Sequence, residues 1–267
     1  MKNSIQRLLG AFGVQLIRLQ GPVSETGAPE LVYERILPVA TYAPWNSSPD
    51  FLSTYSLIKD NTLVDRYRCW ELWTLVEQAE KANDGMILEV GVWRGGTGAL
   101  MAKKALLDGS SARVYLCDTF EGVVKAGSYD TIYKGGEHAD ASQHIVEDLL
   151  QKMDITNARI LKGIFPDDTA RLIEPDIRFS LCHIDVDVYQ SARDVMAWIW
   201  ERMLPGGIVV YDDYGFKGCG GIAKYVNEQL TERDRLVLHN LNGHAIVIKT
   251  PTANVSRFDL SMGRPAS

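Results

Sequence analysis

Only three residues, Leu241, Asn242 and Gly243, separate two β-rich apolar runs near the end of the chain, RLVLHN (235–240) and HAIVIK (244–249). A gap that short permits an antiparallel hairpin and nothing else, because a parallel return needs a crossover of about a dozen residues. Between residues 86 and 231 the opposite rule holds. Strand-like runs at 86–91, 113–118, 158–163, 179–186 and 207–212 alternate with helical patterns near 97–108, 142–153, 190–203 and 219–231, with a shorter one near 167–173. Such alternation builds a parallel sheet with helices on both faces. The expectation is an α/β fold: a seven-stranded, mostly parallel, Rossmann-like sheet closed by a C-terminal antiparallel hairpin.

Upstream, a helical pattern covers about 62–82, and residues 31–60, with Pro38, Pro44 and Pro49, read as an irregular cover or lid. Ile5, Leu8, Leu9, Phe12, Leu16 and Leu19 recur at helical spacing with Arg7 and Arg18 between them, the pattern of an amphipathic helix covering the main domain or a sister subunit. The segment lacks the apolar core and cleavage site of a signal peptide and is too short and polar to be transmembrane. The chain thus divides into an N-terminal helix and lid (1–60), a main domain (61–250) and a tail (251–267). Residues 122–141, Gly-rich, polar and aromatic, are long for a βα connection and form a candidate substrate loop.

A net charge of −6 suits a small-molecule partner and opposes nucleic acid. Cys69, Cys117, Cys182 and Cys219 form no CxxC, which argues against a zinc cage or redox pair and for a reducing cytoplasm.

The segment ILEVGVWRGGTG ends one strand and opens a helix. A dinucleotide-binding turn would read GxGxxG; this one reads ExGxxxGG, with Glu89, Gly91, Gly95 and Gly96. Gly91 permits close approach of a ligand, and Gly95 starts a helix whose amides face the same spot. An anionic Glu89 would repel a pyrophosphate but attract the ammonium of a methionine moiety, so S-adenosylmethionine is favoured over a nicotinamide cofactor; the alternative is a tight turn with a solvated Glu. Asp118, ending the second strand of the run, is placed to accept the two ribose hydroxyls. Gly163 ends the next strand where an adenine ring would lie, with Ile164 or Phe165 to pack on it, Phe165 being otherwise a core residue.

Two further strands end in HIDVDVY and VVYDDYG. Acidic residues do not belong inside a covered parallel sheet, so Asp185, Asp187, Asp212 and Asp213 are expected at its carboxyl rim. Carboxylates gathered there repel one another unless protonated or bridged by a cation. All-oxygen ligation by Asp185, Asp212 and Asp213 points to Mg²⁺, with Mn²⁺ or Ca²⁺ as substitutes. Asp187 is also positioned to cap the helix near Gln190, and Asp213 to serve as a turn residue. His183 reads as a hydrogen-bonded strand histidine rather than a catalyst.

With EVGVWRGG, DTFEG, GIFPDD, HIDVDVY and LPGGIVVYDDYG in this order, residues 62–230 resemble the macrocin O-methyltransferase family, which includes mycinamicin- and novobiocin-pathway enzymes, and more distantly catechol O-methyltransferase. The resemblance implies a class I methyltransferase fold, S-adenosylmethionine on Glu89, Gly91, Arg94, Gly95 and Asp118, and Mg²⁺ on Asp185, Asp212 and Asp213. It also implies a homo-oligomer whose N-terminal segments help close the site. The expected reaction is methyl transfer to a sugar hydroxyl, with a phenolic or catechol-like acceptor as the alternative. Asp185 or Asp187 is the expected proton acceptor, because the lysine that follows the first metal aspartate in catechol O-methyltransferase is replaced here by VDVYQ. A nicotinamide-dependent oxidoreductase or a non-catalytic binding protein fits these residues less well.

Overall fold

A computed structural model describes residues 21–251 except 26, 27 and 38. The expected amphipathic helix at 3–19 and the tail past 251 lie outside the described residues. The described chain opens with an antiparallel hairpin, β1 (Val23–Glu25) and β2 (Ala28–Tyr33), where no strands were expected.

The expected irregular cover is interrupted by a helix, α1 (Pro49–Ile58). Ser48 caps it by accepting from the Phe51 amide, Pro49 suits its first turn, and Phe51 and Ile58, seven residues apart, bury one face completely. This turn-forming, proline-bearing stretch is therefore also part of the core. The next helix, α2 (Arg66–Ala82), starts at residue 66 because the Asp65 carboxylate accepts from the Tyr67 and Arg68 amides.

The main sheet holds seven strands: β3 (Met86–Val90), β4 (Val114–Asp118), β5 (Ala158–Lys162), β6 (Phe179–Ile184), β7 (Met203–Tyr211), β8 (Arg235–His239) and β9 (Ala245–Lys249). Their spatial order is β5-β4-β3-β6-β7-β9-β8, with the first five parallel and β9 antiparallel to both β7 and β8. The sequence-derived architecture is thus the observed one, with shifts at the edges. β7 begins four residues early, and the short helix near 167–173 shrinks to a 3₁₀ turn at Ala170–Leu172.

Helices α3 (Gly96–Leu107) and α4 (Gln143–Lys152) join α1 and α2 on one face, over Ile87, Leu116, Leu181 and Val210. Helices α5 (Tyr189–Trp200) and α6 (Gly220–Gln229) cover the other, over Leu88, Cys182, Val209 and Tyr211. The alternation of side chains along each strand decides which residue meets which layer. No described helix is long and apolar enough to cross a membrane.

Candidate active site

Because β3 to β7 are parallel, their carboxyl ends share one rim, and a cavity of about 390 Å³ opens there. Strand order sorts its lining. Gly91, Val92, Trp93, Asp118, Gly163 and Phe165 come from the β3–β4–β5 side; Asp185, Asp187, Asp212 and Asp213 come from β6 and β7.

On the first side Asp118 organises the turn. Its Oδ2 accepts from the Val92 and Trp93 amides at 2.6 and 2.8 Å, and its Oδ1 from the Phe120 amide at 2.6 Å. Gly91 is needed for an additional reason: at φ 88° a Cβ would lie 1.7 Å from the Asp185 carbonyl oxygen, so the neighbouring strand end itself excludes a side chain. Gly163, at φ 141°, donates from its amide to the Asp118 carbonyl. Phe165 reaches both cavity and core, packed edge-on against Trp198 with centroids 5.0 Å apart.

Four residues expected against a bound donor stand elsewhere. Glu89 is fully buried beneath α3, because strand alternation turns it to the face of Ile87 and away from the cavity. Its Oε1 lies 2.9 Å from His183 Nδ1. Arg94 turns outward to pair with Asp140 at 2.8 Å. Gly95 is the left-handed N-cap of α3, with Val146 filling the space a Cβ would take. Ile164 does not line the cavity; its amide donates to Asp168, and Phe165 takes the position expected of either residue.

On the second side the expected convergence is present. Asp185, Asp212 and Asp213 each offer an oxygen within 4.8 Å of the others. Burial, then the charges of Asp212 and Asp213, push the Asp185 carboxyl well up; burial, then Asp187 and Asp212, do the same to Asp213. Asp212 goes the other way. Burial raises it, but the nearby His183 imidazole, the hydrogen bond with His244 and the charge of Arg68 prevail and hold it well below the usual carboxylate range. Arg68 and the two histidines answer Asp212, while Asp185 and Asp213 have no ion-pair partner among the described residues, and an all-oxygen set of this kind suits a hard divalent cation.

Asp187 sits in the left-handed region at φ 64°, its amide donating to Asp213 Oδ2 at 3.0 Å. It does not cap α5. The cap position is Val188, and the first helical amide, of Tyr189, donates instead to Asp130 Oδ1 at 3.0 Å. Asp187 faces Tyr133, whose hydroxyl is pushed up by burial and then by the Asp187 charge. His183 is fully buried. Burial pulls its imidazole down, but Asp212, with Oδ1 3.6 Å from Nε2, and Glu89 push it up to about 10.

Several residues around the cavity carried no local signal of their role. Asp130 anchors the 122–141 segment, which brings Tyr133 and His138 to the cavity wall. Arg68 lies on the buried stripe of α2 with Leu72, Leu75 and Ala79, and a cation on an apolar stripe is the one sequence sign that it has a buried partner.

The model of the family described as macrocin-O-methyltransferase (TylF) matches residues 58–236. Among curated proteins, the chain is 30% identical over 145 residues to 8-demethyl-8-(2,3-dimethoxy-alpha-L-rhamnosyl)-tetracenomycin-C 4'-O-methyltransferase of Streptomyces olivaceus, covering 51% of this chain and 55% of that protein. It is 26% identical over 196 residues to mycinamicin III 3''-O-methyltransferase of Micromonospora griseorubida, covering 66% and 76%. The match thus spans about half the length of the first relative. Among solved structures, the O-methyltransferase NovP superposes with a TM-score of 0.64 at 23% identity, over 72% of this chain and 83% of NovP. The calicheamicin methyltransferase CalS11 superposes with a TM-score of 0.58 at 16% identity, over 78% and 94%.

Proposed function

The chain belongs to the macrocin O-methyltransferase family, and from that membership we propose that it moves a methyl group from S-adenosylmethionine to a hydroxyl of a sugar in a natural-product glycoside, nucleotide sugar or surface glycan, with Mg²⁺ as its metal. The observation that carries this reading is the gathering of Asp185, Asp212 and Asp213 in one cavity with Gly91, Asp118 and Gly163 at the ends of β3, β4 and β5. The first relative above is named for methylation of a rhamnosyl-bearing tetracenomycin, which favours a sugar acceptor.

In the transfer, the acceptor oxygen bonds to the methyl carbon as the S–CH₃ bond breaks, S-adenosylhomocysteine leaves, and the hydroxyl proton passes to a base. Asp185, Asp212 and Asp213 would hold Mg²⁺, and when bound it would supply positive charge that eases deprotonation of a weakly acidic sugar hydroxyl. The chain's own residues do the rest. Asp118 offers its remaining acceptor capacity to the ribose, and Phe165 offers a ring wall to the adenine. Glu89 lies off the cavity, its Oε1 against His183 Nδ1 on β6.

Asp187 is the preferred proton acceptor. It lines the cavity and is half-buried; burial raises its carboxyl and the Tyr133 hydroxyl partly offsets this, which brings it nearer the working range of a general base. Asp185 is the alternative acceptor among the cavity carboxylates.

Incubation with isotopically labelled donor and a panel of rhamnosides, deoxysugar nucleotides and catechols, with and without EDTA, tests the reading. Label is expected on a sugar oxygen and is expected to vanish with EDTA. Transfer only to catechols overturns the sugar assignment, undiminished transfer in EDTA overturns the metal, and no transfer to any acceptor class overturns the activity.

A further inference from the structure

The acidic triad is gripped from behind the cavity through one carboxylate. Asp212 has both oxygens engaged: Oδ2 accepts from Arg68 Nη1, and Oδ1 pairs with His244 Nε2 at 2.8 Å. His244 is fully buried, and its second ring nitrogen, Nδ1, hydrogen-bonds Glu71 Oε2. That same Glu71 oxygen also accepts from Asn240, on the far side of the hairpin turn between β8 and β9. Arg68 and Glu71 stand three residues apart on α2, so they occupy neighbouring places on one helix face. Arg68 is itself held by Asp65 at 2.8 Å and by the Phe216 ring, 4.5 Å from its guanidinium carbon.

Glu71 and His244 do not line the cavity, so neither can touch an acceptor or a donor there. A contact that served only to dock the hairpin on α2 would need Asn240 and Glu71 alone. His244 instead reaches past them to the one triad member that leaves the sheet beside it: Asp212 directly follows β7, and β9, which His244 directly precedes, pairs with β7. Pinning both oxygens removes the rotational freedom of the Asp212 carboxylate, whereas Asp213 keeps one oxygen for the Asp187 amide and faces the weakly donating Cys219 thiol with the other, 3.8 Å away.

We infer that Glu71, acting through His244, is a positioning residue that orients Asp212 and thereby sets how tightly the acidic triad holds its divalent cation. The inference rests on the metal reading given above. Hydrogen-bond partners standing behind a metal ligand act by fixing its direction, and their loss costs about 10- to 100-fold in metal affinity or activity. Here the ligand they fix is itself a carboxylate.

Manganese serves as the probe, followed by the loss of its free-ion electron paramagnetic resonance signal on titration into wild type, Glu71→Gln, His244→Gln and Asp185→Asn. Expected are binding to wild type, none to Asp185→Asn, and affinity about 10- to 100-fold weaker in Glu71→Gln and His244→Gln at little-changed unfolding temperature. Methyl transfer by these two variants should then need more Mg²⁺ to reach half-maximal rate and recover most of its maximum at saturation, a split that a general loss of structure does not produce. A folded Glu71→Gln or His244→Gln protein that takes manganese as tightly as wild type overturns the positioning role and leaves the metal site standing. Wild type that takes no manganese overturns the metal reading, and the positioning role with it.

Discussion

Arg68 and Asp212, 144 residues apart in the chain, form a buried ion pair whose side chains are 7% and 5% exposed. It joins the second helix to the rim of the sheet where the carboxylates meet. Breaking such a pair by removing one partner leaves an uncompensated charge, at a cost of about 3–5 kcal/mol. Arg68→Met is therefore expected to lose stability in that range in urea unfolding without added metal, and to recover part of it when Mg²⁺ supplies the missing positive charge. A loss below about 1 kcal/mol, the scale of an exposed pair, would show that the contact is dispensable.

Gly91 and Gly109 both have positive φ, but only Gly91 has a neighbour in the way. Gly109→Ala should cost only the left-handed penalty of about 1–2 kcal/mol. Gly91→Ala adds a clash with the Asp185 carbonyl and should exceed about 3 kcal/mol, with donor binding lost in calorimetric titration. Equal unfolding midpoints for the two variants would contradict the packing argument.

Glu77 connects α2 to α3. Hydrogen bonds from Lys81, then Lys104, draw its carboxyl down to about 2. A folded value depressed below the unfolded one means that its stabilisation is present above the unfolded value of about 4.3 and fades as pH falls towards 2. Glu77→Gln should accordingly unfold at a lower temperature than wild type at pH 6, with the gap closing steadily between pH 4.5 and 2.5. A gap independent of pH would remove the carboxylate from the account.

Asp130 is 3% exposed and ties the 122–141 segment to the body, accepting from the Gly127 and Tyr189 amides. Asp130→Ala loses a helix-start acceptor worth about 1 kcal/mol and frees the segment that carries Tyr133 and His138. The expected kinetic result is a raised KM for the acceptor with donor affinity little changed. A rise confined to the donor would assign the segment to the opposite end of the cavity.

Much of this protein was legible in its sequence because the signals are local. Apolar periodicity placed all seven strands of the main sheet, the three-residue gap at 241–243 forced the hairpin, and four carboxylates at strand ends had to surface at one rim, since none could stay inside a covered sheet. Asp185, Asp212 and Asp213 accordingly meet where they were expected.

What the tertiary structure alone decided concerns direction and partners. Glu89 sits in the right strand yet faces α3, because a two-residue repeat assigns each side chain to one layer and only the packed helices show which layer is which. Arg94 was drawn to Asp140, 46 residues on, and Glu71 to His244, 173 residues on. No sequence pattern encodes those pairings. The first is a surface pair that folding brings within reach; the second exists because burial leaves His244 no water to bind, so it is satisfied by whichever opposite group the folded chain brings alongside.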